Sequence, residues 1–207
     1  MKQERDAERR KQMTARDAEI KALNERKETL SAIKNELFAL FSESNPQKRG
    51  KALEGVLNRL FEAHGILVRE AFTLCGDGSE GIVEQIDGVI ELDGQHYLVE
   101  MKWWDKPLGK GEVAQHLVTV YHRGQSRGIL VSASGFTEPA ITVCKEGLQQ
   151  SVFALCKLEE IVSLLEHGFD LRQMLKSKVD AAITHKNPMH DPIAAGEVKR
   201  IDSLSQA

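Results

Sequence analysis

The 207-residue sequence has no uninterrupted apolar run near the roughly 18 to 20 residues that a membrane-spanning helix needs. Its N-terminus is dense in charge where a secretory signal would be apolar. These two absences predict a soluble, cytoplasmic protein with no membrane partner. Cysteine is scarce: Cys75, Cys144 and Cys156 are far apart, without the CxxC spacing of a zinc site or the density of a disulfide scaffold. They are expected to be reduced and structural. An excess of positive charge is missing too. With 28 basic against 31 acidic residues the net charge is -3, which excludes a surface basic throughout, so any phosphate site has to be local.

What is present suits one domain of about 100 to 200 residues plus appendages: 41% of the chain is apolar and 29% charged. Residues 1–19 carry both signs of charge and few large apolar side chains, so alone they are expected to fray. From Ile20 a helical pattern begins, with Leu23, Leu30 and Leu37 seven residues apart and Ile33, Leu40 and Phe41 widening the stripe. Lys27 and Lys34 interrupt the other seam, so a coiled coil is not assured. Three roles stay open for this helix: packing on its own domain, dimerising, or binding a partner. Residues 1–44 thus form a charged N-terminal helix, residues 45–180 the main domain, and residues 181–207, with Pro188, Pro192 and Gly196, a mobile tail.

Within the main domain, Leu53, Val56, Leu57, Leu60 and Phe61 mark a helix after the breaker segment Ser44–Gly50. Strands are expected at 66–74, 82–92 and 96–104, with a loop over Gly76–Gly81 and an Asp93-Gly94 hairpin turn. Helix follows at 112–122, a buried strand at 128–133, helix at 138–149, a short strand at 152–155 and helix at 158–166. This mixture predicts an α/β fold, a mixed central sheet flanked by helices.

The segment 84–104, EQIDGVIELDGQHYLVEMKWW, carries the chemistry. A two-residue turn at Asp93-Gly94 makes facing residues sum to 187, which sets Asp87 opposite Glu100. Alternation puts Asp87, Val89 and Glu91 with His96, Leu98, Glu100 and Lys102 on one side. Ile86, Ile90, Leu92, Tyr97, Val99, Met101 and Trp103 form a core face on the other. Facing carboxylates repel, so a positive charge belongs between them. Lys102 supplies one, and a divalent cation such as Mg²⁺, with a further ligand from the Val99 carbonyl, is the other candidate. Such a cation with a lysine beside it is suited to phosphodiester hydrolysis.

Asp87 with Glu100-Met101-Lys102 resembles the catalytic motif of the PD-(D/E)xK nuclease superfamily, and the surroundings are similar to its Mrr-like restriction endonuclease branch. The segments GKALEGVLNRLFEAHGI, GILVSASGFTEPAI and LCKLEEIVSLL carry the likeness, which covers about residues 48–176. The resemblance implies a restriction-endonuclease-like fold and a metal site fed by Glu54, with Gln115 on the following helix as an active-site residue. It also implies a Mg²⁺-dependent endonuclease, with Mn²⁺ able to substitute, acting on foreign or modified DNA. Ile86 stands where the superfamily name has proline, Glu100 where many Mrr-like members have glutamine, and Thr119 where some have tyrosine.

Lys106, Lys110, Arg123 and Arg127 are expected around the same end of the sheet, and Lys48, Arg49 and Lys51 introduce the Glu54 helix. They are the candidate phosphate-backbone contacts. Trp104 shares the side of Lys102 and is a candidate for stacking on a base or sugar, but core or strand-end packing is the favoured reading for both Trp103 and Trp104. His116 and His122 read as helix-surface residues rather than general bases, and His64 as a cap on its helix. No base-reading module is evident, so sequence specificity would come from a specificity or activator partner. Two rivals remain: a structure-specific repair or recombination nuclease, and a non-catalytic DNA- or protein-binding module that kept the fold.

Overall fold

The computed structural model describes residues 2–75 and 82–201; the expected loop at Gly76–Gly81 lies outside them. Five strands form one mixed sheet in the order β1 (Leu67–Cys75), β2 (Ile82–Leu92), β3 (Gln95–Lys102), β4 (Arg127–Ser132) and β5 (Phe153–Lys157). The first three are antiparallel neighbours, whereas β3, β4 and β5 run parallel. Parallel neighbours need crossovers, and α3 (Lys110–Tyr121) and α4 (Glu138–Gly147) supply them.

The β2–β3 turn is the expected one. Asp93 and Gly94 have φ of 51° and 74°, the left-handed pair that matches strand twist, and the register runs from Leu92↔Gln95 to Gly88↔Val99. There the strands part. β2 goes on pairing with β1, for example Ile86↔Phe72, while β3 goes on along β4 as far as Lys102↔Ser132.

Both faces of the sheet are covered. On one, Ile90, Leu92, Tyr97, Val99, Met101 and Trp103 pack with α1 (Lys2–Leu40), α2 (Pro46–Ala63), α5 (Leu158–His167) and α6 (Leu171–His185). On the other, Leu98, Leu130, Phe153 and Leu155 pack with α3 and α4. Ile86 belongs to this second cluster, not to the core face that strict alternation assigns it. Leu98 is buried as well, so the side carrying Asp87 is not simply polar.

The helix α2 starts at Pro46, earlier than expected. Asn45 caps it by accepting the Lys48 N–H (3.0 Å), and proline suits a first turn whose N–H groups have no intrahelical partner. The helix α1 is continuous from Lys2, although the sequence predicts fraying over the first 19 residues. Its two halves differ: described side chains up to Ala22 are exposed, whereas Ile33, Leu37 and Leu40 enter the core against α2 and α5. Packing on its own domain therefore accounts for the rear half.

The expected mobile tail at 181–207 is corrected over its described part. Position 180 falls inside α6, whose buried Leu171, Met174, Leu175, Val179 and Ala182 form one stripe. Residues 186–201 then pack back. Pro188 O accepts the Leu155 N–H (2.9 Å) on the outer edge of β5, Lys199 O accepts the Asp170 N–H (3.0 Å), and Val198 is buried. Covering a free strand edge satisfies polar groups that would otherwise template aggregation. Fully buried Lys178 fixes the arrangement, donating to Glu160 (2.5 Å) and to His190 O (2.5 Å).

Candidate active site

The fork between β2 and β3 positions Asp87. Once the strands diverge, the Met101 N–H has lost its partner on β2, and Asp87 Oδ2 accepts it instead at 2.9 Å. Gln85 Nε2 lies 3.3 Å from Oδ1. Asn58, one turn after Glu54 on α2, donates through Nδ2 to the Asp87 carbonyl at 2.8 Å. An aspartate only 3% exposed is thus held by three neighbours in one orientation.

Glu100 and Lys102 are next along β3, two positions apart and on the same face. The Lys102 ammonium contacts Glu100 Oε1. From α2, Glu54 reaches the same cleft, its Oε2 accepting from Lys51 Nζ at 2.6 Å. The cleft encloses about 440 Å³ and is also lined by Gln115 and Trp104.

Charges here act on one another. Burial, and then the facing Glu100, push the Asp87 carboxyl above the ordinary range, against the Met101 N–H, Lys102 and Gln85. Burial likewise raises Glu54, with Lys51 opposing it and Asp87 adding to it. Burial alone would lower Lys102, but Glu100, Asp87 and Glu54 outweigh it and hold the ammonium above its usual value. Lys102 is therefore held as a cation in a cleft where two carboxyls, Asp87 and Glu54, are costly to ionise.

Glu54, Asp87, Glu100, Lys102 and Gln115 all line this one cleft. Val99 is the last residue of β3 paired to β2 before the fork. Lys106, in the middle of the loop leaving Lys102, and Lys110, the first residue of α3, are exposed; the loop is tied down by Leu108 N–H to Gly135 O and Thr137 N–H to Leu108 O, both 3.0 Å. Lys48 is exposed in the first turn of α2. Arg123 lines an adjoining groove that shares Gln115 and Thr119 with the cleft, and its guanidinium stands 5.8 Å from the Phe72 ring.

Two of the basic candidates are placed differently from expectation. Arg127 pairs with Tyr97, five residues down β4 from the Lys102↔Ser132 pair, and donates to the Tyr97 hydroxyl at 3.1 Å. That is about 16 Å along the strand, at the far end of the sheet. Arg49 is committed to the fold: its side chain is 14% exposed, bonded to Asp105 at 2.8 Å and stacked over Trp103 at 5.2 Å. Trp103 packs in the core, whereas Trp104 is 48% exposed.

Among the histidines, His116 is buried at the cleft wall, with Nε2 3.3 Å from the Leu98 carbonyl and its ring edge-on to Phe153. His122 ends α3 and lines the adjoining groove. His64 is the C-cap residue of α2, but burial and Arg26 lower its pKa to about 4, so it is neutral there and brings no charge to the helix end.

Sequence reasoning missed Asn58, Gln85 and Glu112. The first two were within reach: Asn58 follows Glu54 by four residues on a helix, and Gln85 precedes Asp87 by two on a strand. Glu112 also lines the cleft and accepts the Gly109 N–H at the start of α3 (2.9 Å).

The donors are all oxygens: the carboxylates of Asp87 and Glu100, with Glu54 nearby. That set suits a hard ion such as Mg²⁺ or Mn²⁺ rather than zinc. The upward push of Glu100 on Asp87 is the repulsion that a shared cation would relieve. Among the described residues, no three His, Cys, Asp or Glu side chains stand ready as a metal cage.

No functionally curated protein matches the chain. Two solved structures resemble it distantly. One is a protein of unknown function, AF1548 (21% identity, TM-score 0.42, covering 70% of this chain and 78% of that one). The other is the DNA modification-dependent restriction endonuclease AspBHI (17% identity, TM-score 0.41, covering 76% of this chain and 40% of that one). The family model of the Mrr-type restriction endonuclease catalytic domain matches residues 47–165, a span that runs from the first turns of α2 through β5 into α5 and contains the whole cleft. With more than half its length accounted for in this way, the chain belongs to the Mrr-type restriction endonuclease family.

Proposed function

We propose that this protein is a metal-dependent DNA endonuclease, acting in defence against foreign or modified DNA. The observation that carries the reading is the convergence of Asp87, Glu100 and Lys102, with Glu54 and Gln115, in one cleft of a restriction-endonuclease-family domain. Asp87, Glu100 and the Val99 carbonyl would hold Mg²⁺, with Mn²⁺ as a substitute. Bound there, the ion supplies polarisation of a phosphoryl oxygen and a more acidic water. Lys102, charged at any working pH, neutralises charge developing on the scissile phosphate, Glu54 assists at the ion, and Gln115 orients. Exposed Lys48, Lys51, Lys106 and Lys110, with Arg123 in the adjoining groove, are the backbone contacts; Arg49 and Arg127 are left out by their placement.

The test is cleavage of DNA by the full chain with Mg²⁺ or Mn²⁺. Asp87→Ala and Lys102→Ala are each expected to lower the rate by at least about 10²-fold with the melting transition retained. Equal cleavage by wild type and both variants removes this mechanism. A second reading, a structure-specific repair or recombination nuclease, is favoured by exposed Trp104, which offers a stacking surface for an unpaired base. Linear duplex, branched, single-stranded and methylated substrates separate the two. The partners consistent with this reading are DNA, a second copy joined through the exposed half of α1, and a protein that confers specificity or activates.

A further inference from the structure

Lys51 and Glu54 form an unequal pair. The ammonium lies 2.6 Å from Glu54 Oε2, yet the lysine side chain is 69% exposed and that of the glutamate 12%. The carboxylate is thus fixed in the cleft wall, while the lysine reaches in from the rim on a flexible stem. Lys102 makes the corresponding contact with Glu100 on the other side. Each outer carboxylate carries an ammonium, and Asp87 lies in the field of both lysines.

We infer that Lys51 is a second phosphate-directed lysine, held on Glu54 in the metal-free chain and released to the nucleic-acid backbone when a divalent cation takes that carboxylate. This rests on the reading of the cleft as a metal-dependent nuclease site. The physical reason is charge. Three carboxylates, Glu54, Asp87 and Glu100, against two ammonium groups leave one net negative charge. A divalent ion turns this into one net positive charge, which a single phosphodiester cancels. The ion repels the Lys51 ammonium while competing for the same oxygen, and a pair so exposed on one side is held weakly. Lys102 has no such freedom, being confined on the strand with less than half that exposure. Lys51 can swing outward to a phosphate while Lys102 stays beside the scissile bond.

The experiment compares the full-length wild type with Lys51→Met and Lys51→Arg, first for Mn²⁺ binding without DNA. Duplex binding is then followed against salt concentration with Ca²⁺ in place of Mg²⁺. Removing the competing ammonium is expected to tighten Mn²⁺ binding about 2- to 5-fold. It should also weaken duplex binding and reduce the log–log salt slope by about one. Lys51→Arg keeps the charge and is expected to behave as wild type in the salt slope. Unchanged Mn²⁺ affinity or an unchanged slope in Lys51→Met, with a wild type that binds Mn²⁺, overturns the role of Lys51 and leaves the nuclease reading standing. A wild type that binds neither Mn²⁺ nor duplex overturns both.

Discussion

The Asp87 carboxylate accepts the Met101 main-chain N–H at 2.9 Å, so a side chain of β2 completes a rung that the diverging backbones leave open. The bond makes the aspartate part of the sheet and of the cleft together. Anything that shifts the fork therefore shifts the chemistry.

Asp87 has to be ionised to hold a cation, and burial with the facing Glu100 raises its pKa. Metal affinity is expected to decline on acidification at a higher pH than an ordinary aspartate would dictate. Stability has the opposite sign. Because the folded-state pKa exceeds the unfolded one, the metal-free protein bears a penalty that is complete above the folded value and gone below the unfolded value. Asp87→Asn, which keeps an acceptor for Met101, should melt higher than wild type at pH 7 and lose that advantage in acid. Thermal melts across pH check this; an Asn variant less stable at pH 7 contradicts it.

Gly88 is required by Asn58. A Cβ on Gly88 would stand 2.5 Å from Asn58 Oδ1, on the residue whose Nδ2 holds the Asp87 carbonyl. Gly88→Ala is expected to cost about 1 to 3 kcal/mol and to weaken metal binding, since the asparagine or the fork must move. Asn58→Ala removes the obstacle, so the double variant should lose less than the two single losses together. Denaturant unfolding of the four proteins measures the coupling, and strict additivity would count against a direct clash.

The two halves of α1 predict different truncations. Among the described side chains, removing residues 1–21 takes only exposed ones, and it is expected to leave the melting temperature within a degree or two of wild type. Removing residues 1–44 also takes Ile33, Leu37 and Leu40, each worth about 1.5 to 3 kcal/mol of burial, and should unfold or severely destabilise the domain. Light scattering of the shorter deletion tests dimerisation through the exposed half; an unchanged mass eliminates it.

Lys178 and Glu160 are both buried and paired at 2.5 Å. Lys178→Met strands the carboxylate and is expected to cost about 3 to 5 kcal/mol. Burial already raises the Glu160 pKa, so part of that loss should be recovered at acid pH, where the carboxyl is neutral. Urea midpoints at pH 5 and pH 7 give the comparison.

The hairpin was legible because its turn residues and its alternation agree, and the observed register follows from Asp93-Gly94 alone. Elements with strong apolar spacing, such as α2 and β4, were legible for the same reason. The fork was not, because one-strand alternation assumes a continuous ladder; that is why it puts Ile86 on the wrong side. α6 escaped notice because Lys178 interrupts its apolar stripe, and only a tertiary partner explains a lysine there. Arg49 and Arg127 read as phosphate contacts since charge in a sequence does not reveal that Asp105, Trp103 and Tyr97 already engage them. Glu54 and Gln115 are brought into the cleft by helices whose approach no local pattern encodes.

No break interrupts α1 between Lys2 and Leu40, and its rear turns are locked into the hydrophobic interior. A helix gains about 1.5 Å and about 100° per residue. Whatever grips the front of this rod is therefore set in torsional phase with the nuclease-family domain. Deleting one residue near Lys21 would rotate the handle by about a quarter turn, whereas deleting seven would shorten it by about 10 Å and nearly restore its azimuth.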